Sequence, residues 1–200
     1  MDLPLYKLVI NEDDETGVTA VALVDKPAIE VNWMAFNEQK PFKFETVNAE
    51  KRIIAGALML ADTPIYRRTE AKGEFNVIFE KPTIEQIVTK YHKNSFEKNV
   101  NPMHESMMIL PDIFMISDFI INREMGYMPP KGFENLPDGS WFGQFKVNND
   151  LVWNDYIKTG IFQGFSVEGF FDEVPANTPS QAMSNEEFNA LLEALTSIFS

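Results

Sequence analysis

Three residues of this chain, Ser166, His104 and Glu168, are of the types that together activate a hydroxyl as a nucleophile. A serine is a poor nucleophile until a base takes its proton, and histidine, with an ordinary pKa near 6.5, is the base suited to neutral pH. A third group usually orients that base and stabilises its protonated form. Residues 160–172 read Gly-Ile-Phe-Gln-Gly-Phe-Ser-Val-Glu-Gly-Phe-Phe-Asp. Their aromatic and β-branched content predicts a strand. Alternation puts Ser166, Glu168, Phe170 and Asp172 on one face, with Phe165, Val167 and Phe171 on the other.

A hydroxyl and a carboxylate on so apolar a strand need partners, since leaving each buried and unpaired costs about 1–3 kcal/mol. The chain has two histidines. His104 opens another apolar stretch, and bringing it beside Ser166 would satisfy the hydroxyl and create an activated nucleophile. Glu168, about 6.5–7 Å from Ser166 at Cα, is the first candidate for the orienting group; Asp118 and Asp172 are the runners-up. His92 falls at the edge of a helical apolar stripe, the usual place of a structural histidine.

Other chemistries find less support. Cysteine is absent, which removes disulfides, thiolate nucleophiles and cysteine-held metal. His104-Glu105 lacks the second histidine of a metalloprotease helix, and two histidines cannot make a three-histidine zinc site. No glycine-rich loop precedes a helix in a phosphate-binding arrangement. Gly164-Phe-Ser166 lacks the later glycine of a nucleophile elbow. No metal and no cofactor are expected. The net charge of −13 argues against a nucleic-acid partner. No apolar run approaches the roughly 20 residues that span a bilayer, and the N-terminus does not read as a secretory signal. After Lys158 every charged residue is acidic, which suits a solubilising surface or a basic partner.

The elements that must position these residues are mostly strands. Residues 3–10 and 18–29 flank a polar turn cluster and predict an opening hairpin. Strands are expected over 31–36 and 42–47, and 53–60 reads as a central strand packed on both faces. Residues 65–68 and 75–79 predict a hairpin around Lys72-Gly73. A helix follows Pro82, with Thr83 and Gln86 as its capping box and Asn99 as its stop. Strand character returns over 107–110, 113–121 and 141–147. Methionines 103, 107, 108 and 115 read as core filler. Residues 123–139, rich in glycine and proline, predict a long loop that is a lid, a binding flap or mobile. Asn149 caps a short helix that ends before Gly160. Together these elements define a mainly β, α+β domain over 1–173, expected to be a closed antiparallel barrel. A linker over 174–183 and an amphipathic helix over 184–200 follow, the helix docking on the barrel or on a partner.

Several segments carry a family likeness: Val24-Asp-Lys-Pro-Ala-Ile-Glu30, Ile54-Ala-Gly-Ala-Leu-Met59, Ile65-Tyr-Arg67, Asn101-Pro-Met-His104, Gly139-Ser-Trp141, Lys146-Val-Asn148, Val152-Trp153 and 160–171. In this order they resemble the XkdF-like serine proteases of tailed bacteriophages, a branch of the prohead (capsid maturation) proteases. The resemblance covers roughly residues 20–172 and is most specific in the last block. It implies an assemblin-like β-barrel with the histidine ahead of the serine, and a homodimer. It implies a serine endopeptidase that cuts scaffold and the N-terminal regions of the major capsid protein, and at times itself, inside the assembling prohead in the host cytoplasm. Ser166 would be the nucleophile and His104 the general base. Related herpesvirus enzymes carry an arginine pair after the serine, whereas here no arginine follows Arg123, so backbone N–H groups would hold the oxyanion. The segment 116–120 has serine where this branch carries a glutamate. A non-enzymatic alternative keeps the barrel as a capsid-assembly or scaffold-binding module.

Overall fold

The computed structural model describes residues 3–11, 15–25 and 43–176. The expected strand over 31–36, most of the linker and the terminal helix lie outside them. In chain order the elements are β1 (Leu5–Val9), β2 (Gly17–Val24), β3 (Glu45–Asn48), β4 (Ile53–Met59), β5 (Ile65–Thr69), β6 (Gly73–Ile78) and α1 (Lys81–Lys93). A 3-10 turn (Phe96–Lys98) leads into β7 (Val100–Pro102) and β8 (Ile113–Ile120). β9 (Trp141–Val147), a π-helical segment (Val152–Ile157), β10 (Gly164–Phe170) and β11 (Asp172–Pro175) follow among the described residues. The fold is mainly β with helical insertions, as expected. Among the described residues, no helix is long and apolar enough to cross a membrane.

The described strands form three open sheets, ordered β11-β1-β6-β5, β10-β2-β7 and β3-β4-β9-β8, and none closes into a barrel. Nor is the pairing wholly antiparallel, because β1 runs parallel to β6 and β2 parallel to β7. The opening hairpin is also absent: β1 pairs with β6 and β11, while β2 pairs with β7 and β10. A polar cluster between two strands predicts a reversal of the chain, but it does not choose their partners. Here the partner is shared. β10 runs along β2, bends at Phe171, and continues as β11 along β1. Phe171 anchors the corner by an edge-on contact with Phe79, with ring centroids 5.0 Å apart. The expected linker therefore begins later, since Val174 and Pro175 still pair with Lys7 and Tyr6.

The buried interior explains this arrangement. β2 and β4 are the central strands of their sheets and are buried on both faces along most of their length. Gly56 lets β4 pass close over β10, because a Cβ there would lie 3.2 Å from the Phe165 ring. Phe165 packs at a tilt against Phe145 (4.7 Å between centroids). Burying one such ring contributes about 1.5–3 kcal/mol. The residue just before Ser166 thus locks the serine strand into the core. The 65–69 and 73–78 hairpin forms as predicted.

α1 starts earlier than its expected capping box. Pro82 occupies its first turn, where a missing N–H costs nothing, and Thr83 lies inside the helix. It also stops earlier, with Asn94 rather than Asn99 at its C-terminus. Asn149 does cap its segment, its Oδ1 accepting the Val152 N–H at 3.0 Å, although the segment is π-helical. Residues 107–110 are not a strand. Of the four methionines read as core, only Met115 is buried; Met107 is 97% exposed. The loop over 123–139 is held down, with Phe133 and Leu136 buried against Phe142. Arg123 pairs with Asp138 and donates to the carbonyls of Glu134 and Leu136, both at 2.9 Å.

The β2–β10 register slips between Glu168 and Gly169, with Thr19 the extra residue on β2 and its carbonyl accepting from Asn99 Nδ2 at 3.0 Å. Gly169 sits at the slip, where a Cβ would come within 2.0 Å of the Gly17 carbonyl oxygen. Gly169→Ala is expected to destabilise the chain by about 1–3 kcal/mol, read as a lower denaturation midpoint at unchanged slope. A wild-type midpoint would show that the strands part freely here.

Candidate active site

The site is built on one face of the β10-β2-β7 sheet. Ser166, Ala22 and Asn101 lie side by side across the three strands, so their side chains share a face. Glu168, two residues on and opposite Ala20, shares it too. Between Ser166 and Glu168 of β10 and Asn101 of β7 this face therefore presents Ala20 and Ala22. Side chains so short leave it clear for residues of the outer strands to meet.

They do meet. Glu168 Oε1 accepts a hydrogen bond from Asn101 Nδ2 at 2.9 Å and lies 2.9 Å from His104 Nδ1. A carboxylate oxygen accepts, so Nδ1 is the donor in this contact and Nε2 is the ring nitrogen it leaves over. Glu168 is mostly buried, whereas the His104 ring is about half exposed.

His104 does not open a strand, as its surroundings in the sequence suggested; it stands in a tight turn just past β7. Met103 and His104 both adopt left-handed backbone, with φ of 51° and 64°. That conformation is uncommon for residues with a side chain and needs surrounding structure to hold it. The Met103 N–H donates to the Leu23 carbonyl at 2.9 Å, and the Ser106 N–H to the His104 carbonyl at 3.0 Å. The turn swings the imidazole back toward the sheet and onto Glu168.

Ser166 is 3% exposed. Among the described residues, no hydrogen bond reaches its hydroxyl or His104 Nε2. The two side chains are thus not bonded directly in the unliganded chain. Instead both line one cavity of about 860 Å³, together with Glu168. Such an arrangement has the parts of an acyl-transfer site: a hydroxyl, an imidazole with a free nitrogen, and a carboxylate on the other nitrogen.

The runners-up stand elsewhere. Asp118 Oδ2 accepts from Trp141 Nε1 at 2.7 Å and lies 2.9 Å from His92 Nε2. Asp172, on β11, accepts from Asn11 Nδ2 at 3.1 Å. Neither reaches His104. Asn101 is the site residue that sequence reasoning missed. A fully buried amide has no independent signal there, and only its alignment with Ala22 and Ser166 gives it a role. The alternating alanines at 20 and 22 were the one available clue. Among the described residues, no group of three His, Asp or Glu side chains could hold a metal ion. No protein-family model, curated protein or solved structure matches the chain.

The second histidine makes a useful contrast. His92 lies between two carboxylates, with Nδ1 2.8 Å from Glu97 and Nε2 2.9 Å from Asp118. Burial opposes its charge, but hydrogen bonds to Asp118 and Glu97 outweigh that, so its pKa is raised. The bond to His92 in turn lowers the pKa of Glu97. Nearby, burial first, then Glu97 and Asp118, drive the Tyr91 hydroxyl upward.

These shifts set a pH window. His92, raised in the folded chain, contributes fully below its unfolded pKa and loses that contribution as pH rises through the folded value. Glu97, lowered, contributes above its unfolded pKa and loses that contribution as pH falls. Both are fully present between about pH 4.5 and 6.5. His92→Gln should lower the melting temperature most inside that window and progressively less as pH rises through the raised His92 value. A melting-temperature difference independent of pH would show that the ion pairs contribute nothing.

Proposed function

We propose that the chain is a serine endopeptidase of the capsid-maturation type, acting on scaffold and capsid protein inside an assembling phage prohead. The observation that carries the reaction class is the Glu168–His104 contact of 2.9 Å on the sheet face that bears Ser166. The finer assignment, including an assemblin-like kinship, rests on the resemblance of residues 20–172 and on the histidine preceding the serine.

In this reading a peptide carbonyl enters the cavity beside Ser166. His104 Nε2 takes the hydroxyl proton as Oγ attacks the carbonyl carbon. Glu168 stabilises the imidazolium through Nδ1, and Asn101 keeps the carboxylate aimed. His104 then gives its proton to the departing amine, the C–N bond breaks, and an acyl-serine remains. Water, deprotonated by the same nitrogen, attacks the ester, and the proton returns to Ser166 as the acid leaves. Closing the gap between hydroxyl and imidazole falls to substrate binding, since catalytic hydrogen bonds often tighten only in the complex.

A small fluorophosphonate incubated with the full chain should add one phosphonyl mass at Ser166. Ser166→Ala should abolish that adduct and should stop processing of co-expressed scaffold and capsid protein, with the fold unchanged. Glu168→Gln should slow labelling by about 10²- to 10⁴-fold, the range expected when the orienting carboxylate of such a triad is lost. Processing that continued in Ser166→Ala would eliminate the protease assignment.

A further inference from the structure

The cavity beside Ser166 is far larger than its reacting groups need. Its volume of about 860 Å³ is in the range that holds a drug-sized ligand, well beyond one small side chain. Its walls come from the far sheets: Leu8 of β1, Met59 of β4, Ile65 of β5 and Val77 of β6, with Phe79 and Phe171 beside them. The ionisable side chains that line it are His104, Arg67, Glu168 and Glu173. Glu168 is engaged by His104 and Asn101, and Glu173 pairs with Lys72. Arg67 Nη1 donates to the Tyr66 carbonyl at 3.2 Å and its charge is offset in part by Glu173, so each of these groups already faces a partner within the chain.

The apolar surface continues past the mouth. Phe170 lines the cavity yet is 70% exposed, and the loop that brings His104 and Ser106 to it also exposes Met103, Met107, Met108 and Ile109. Exposed methionines cost solvation but can conform to varied apolar shapes.

Resting on the serine-hydrolase reading above, we propose that this cavity is the specificity pocket for an extended polypeptide carrying large aliphatic or aromatic side chains beside the cut bond. One such side chain fills the cavity between β1, β5 and β6, and neighbouring residues lie along Phe170 and the methionine loop. The extension of apolar surface beyond the cavity favours a polypeptide over a compact acyl ligand. Small and charged side chains are discriminated against, because they leave the apolar walls unfilled or lose their hydration there.

The test uses the wild-type full chain and matched peptidyl phosphonates with one leaving group. Their reacting-position side chains would be Leu, Phe, Ala, Glu or Lys, and labelling of Ser166 is followed by intact mass. The Leu and Phe probes should label at least about 10-fold faster than the Ala, Glu and Lys probes, the discrimination typical of an apolar pocket. Labelling by a short fluorophosphonate without that preference overturns the pocket assignment alone. A long-chain alkyl phosphonate that outpaces every peptide probe overturns the polypeptide assignment in favour of a lipid-like acyl chain. No labelling by any probe, the short fluorophosphonate included, overturns the pocket together with the serine-hydrolase reading.

Discussion

A single carboxylate oxygen on a sheet face sets most of what this chain can do. Glu168 Oε1 faces Asn101 and His104 from two sides. A carboxylate drawn from water needs such donors, since an unpaired buried charge would cost more than the contact returns. Asn101 meets that need from within the sheet, and His104 meets it from outside. The imidazole is thereby held at Nδ1, and its second nitrogen makes no hydrogen bond among the described residues. Nothing in the backbone of a sheet requires this; it depends on Ala20 and Ala22 keeping the face clear between β7 and β10.

The two histidines show how much the second contact matters. Each has a carboxylate at Nδ1, Glu97 for His92 and Glu168 for His104. His92 has a second carboxylate at Nε2, and so works as a tie among α1, the 3-10 turn and β8. His104 has no such bond among the described residues, stands in a left-handed turn, and faces a cavity. The same side chain thus ties elements together at both nitrogens in one place and at a single nitrogen, beside a cavity, in the other.

The serine strand joins two of the three sheets. β10 belongs to the sheet of β2, and β11, its continuation past Phe171, belongs to the sheet of β1. The slip at Thr19 and the bare Gly169 allow that passage. The large cavity opens where the strand leaves one sheet for the other, so the chemistry of β10 and the apolar walls of β1, β5 and β6 meet at a join in the fold. This is also why the face predicted for Asp172 fails: it lies on β11, beyond the bend, and alternation carries no further than the strand that generates it.

Local chemistry alone was enough to read much of this chain. Aromatic and β-branched content marked the serine strand, turn residues marked the β5–β6 hairpin, and unbroken apolarity marked β4. Those signals act within a few residues of one another. Even the Glu168 assignment was local, since Ser166 and Glu168 are two residues apart on one strand. The meeting of His104 with Glu168 aside, what lay beyond reach was the choice made between distant segments. The opening strands find partners on opposite sides of the β10–β11 bend instead of each other, and the sheets stay open. Asp118 goes to His92 across 26 residues, and Asn101 to Glu168 across 67. The exposed methionines after His104 look identical in sequence to buried ones. Pairing and burial are properties of the packed whole, because a strand's edge and a side chain's surroundings exist only once the other strands have arrived.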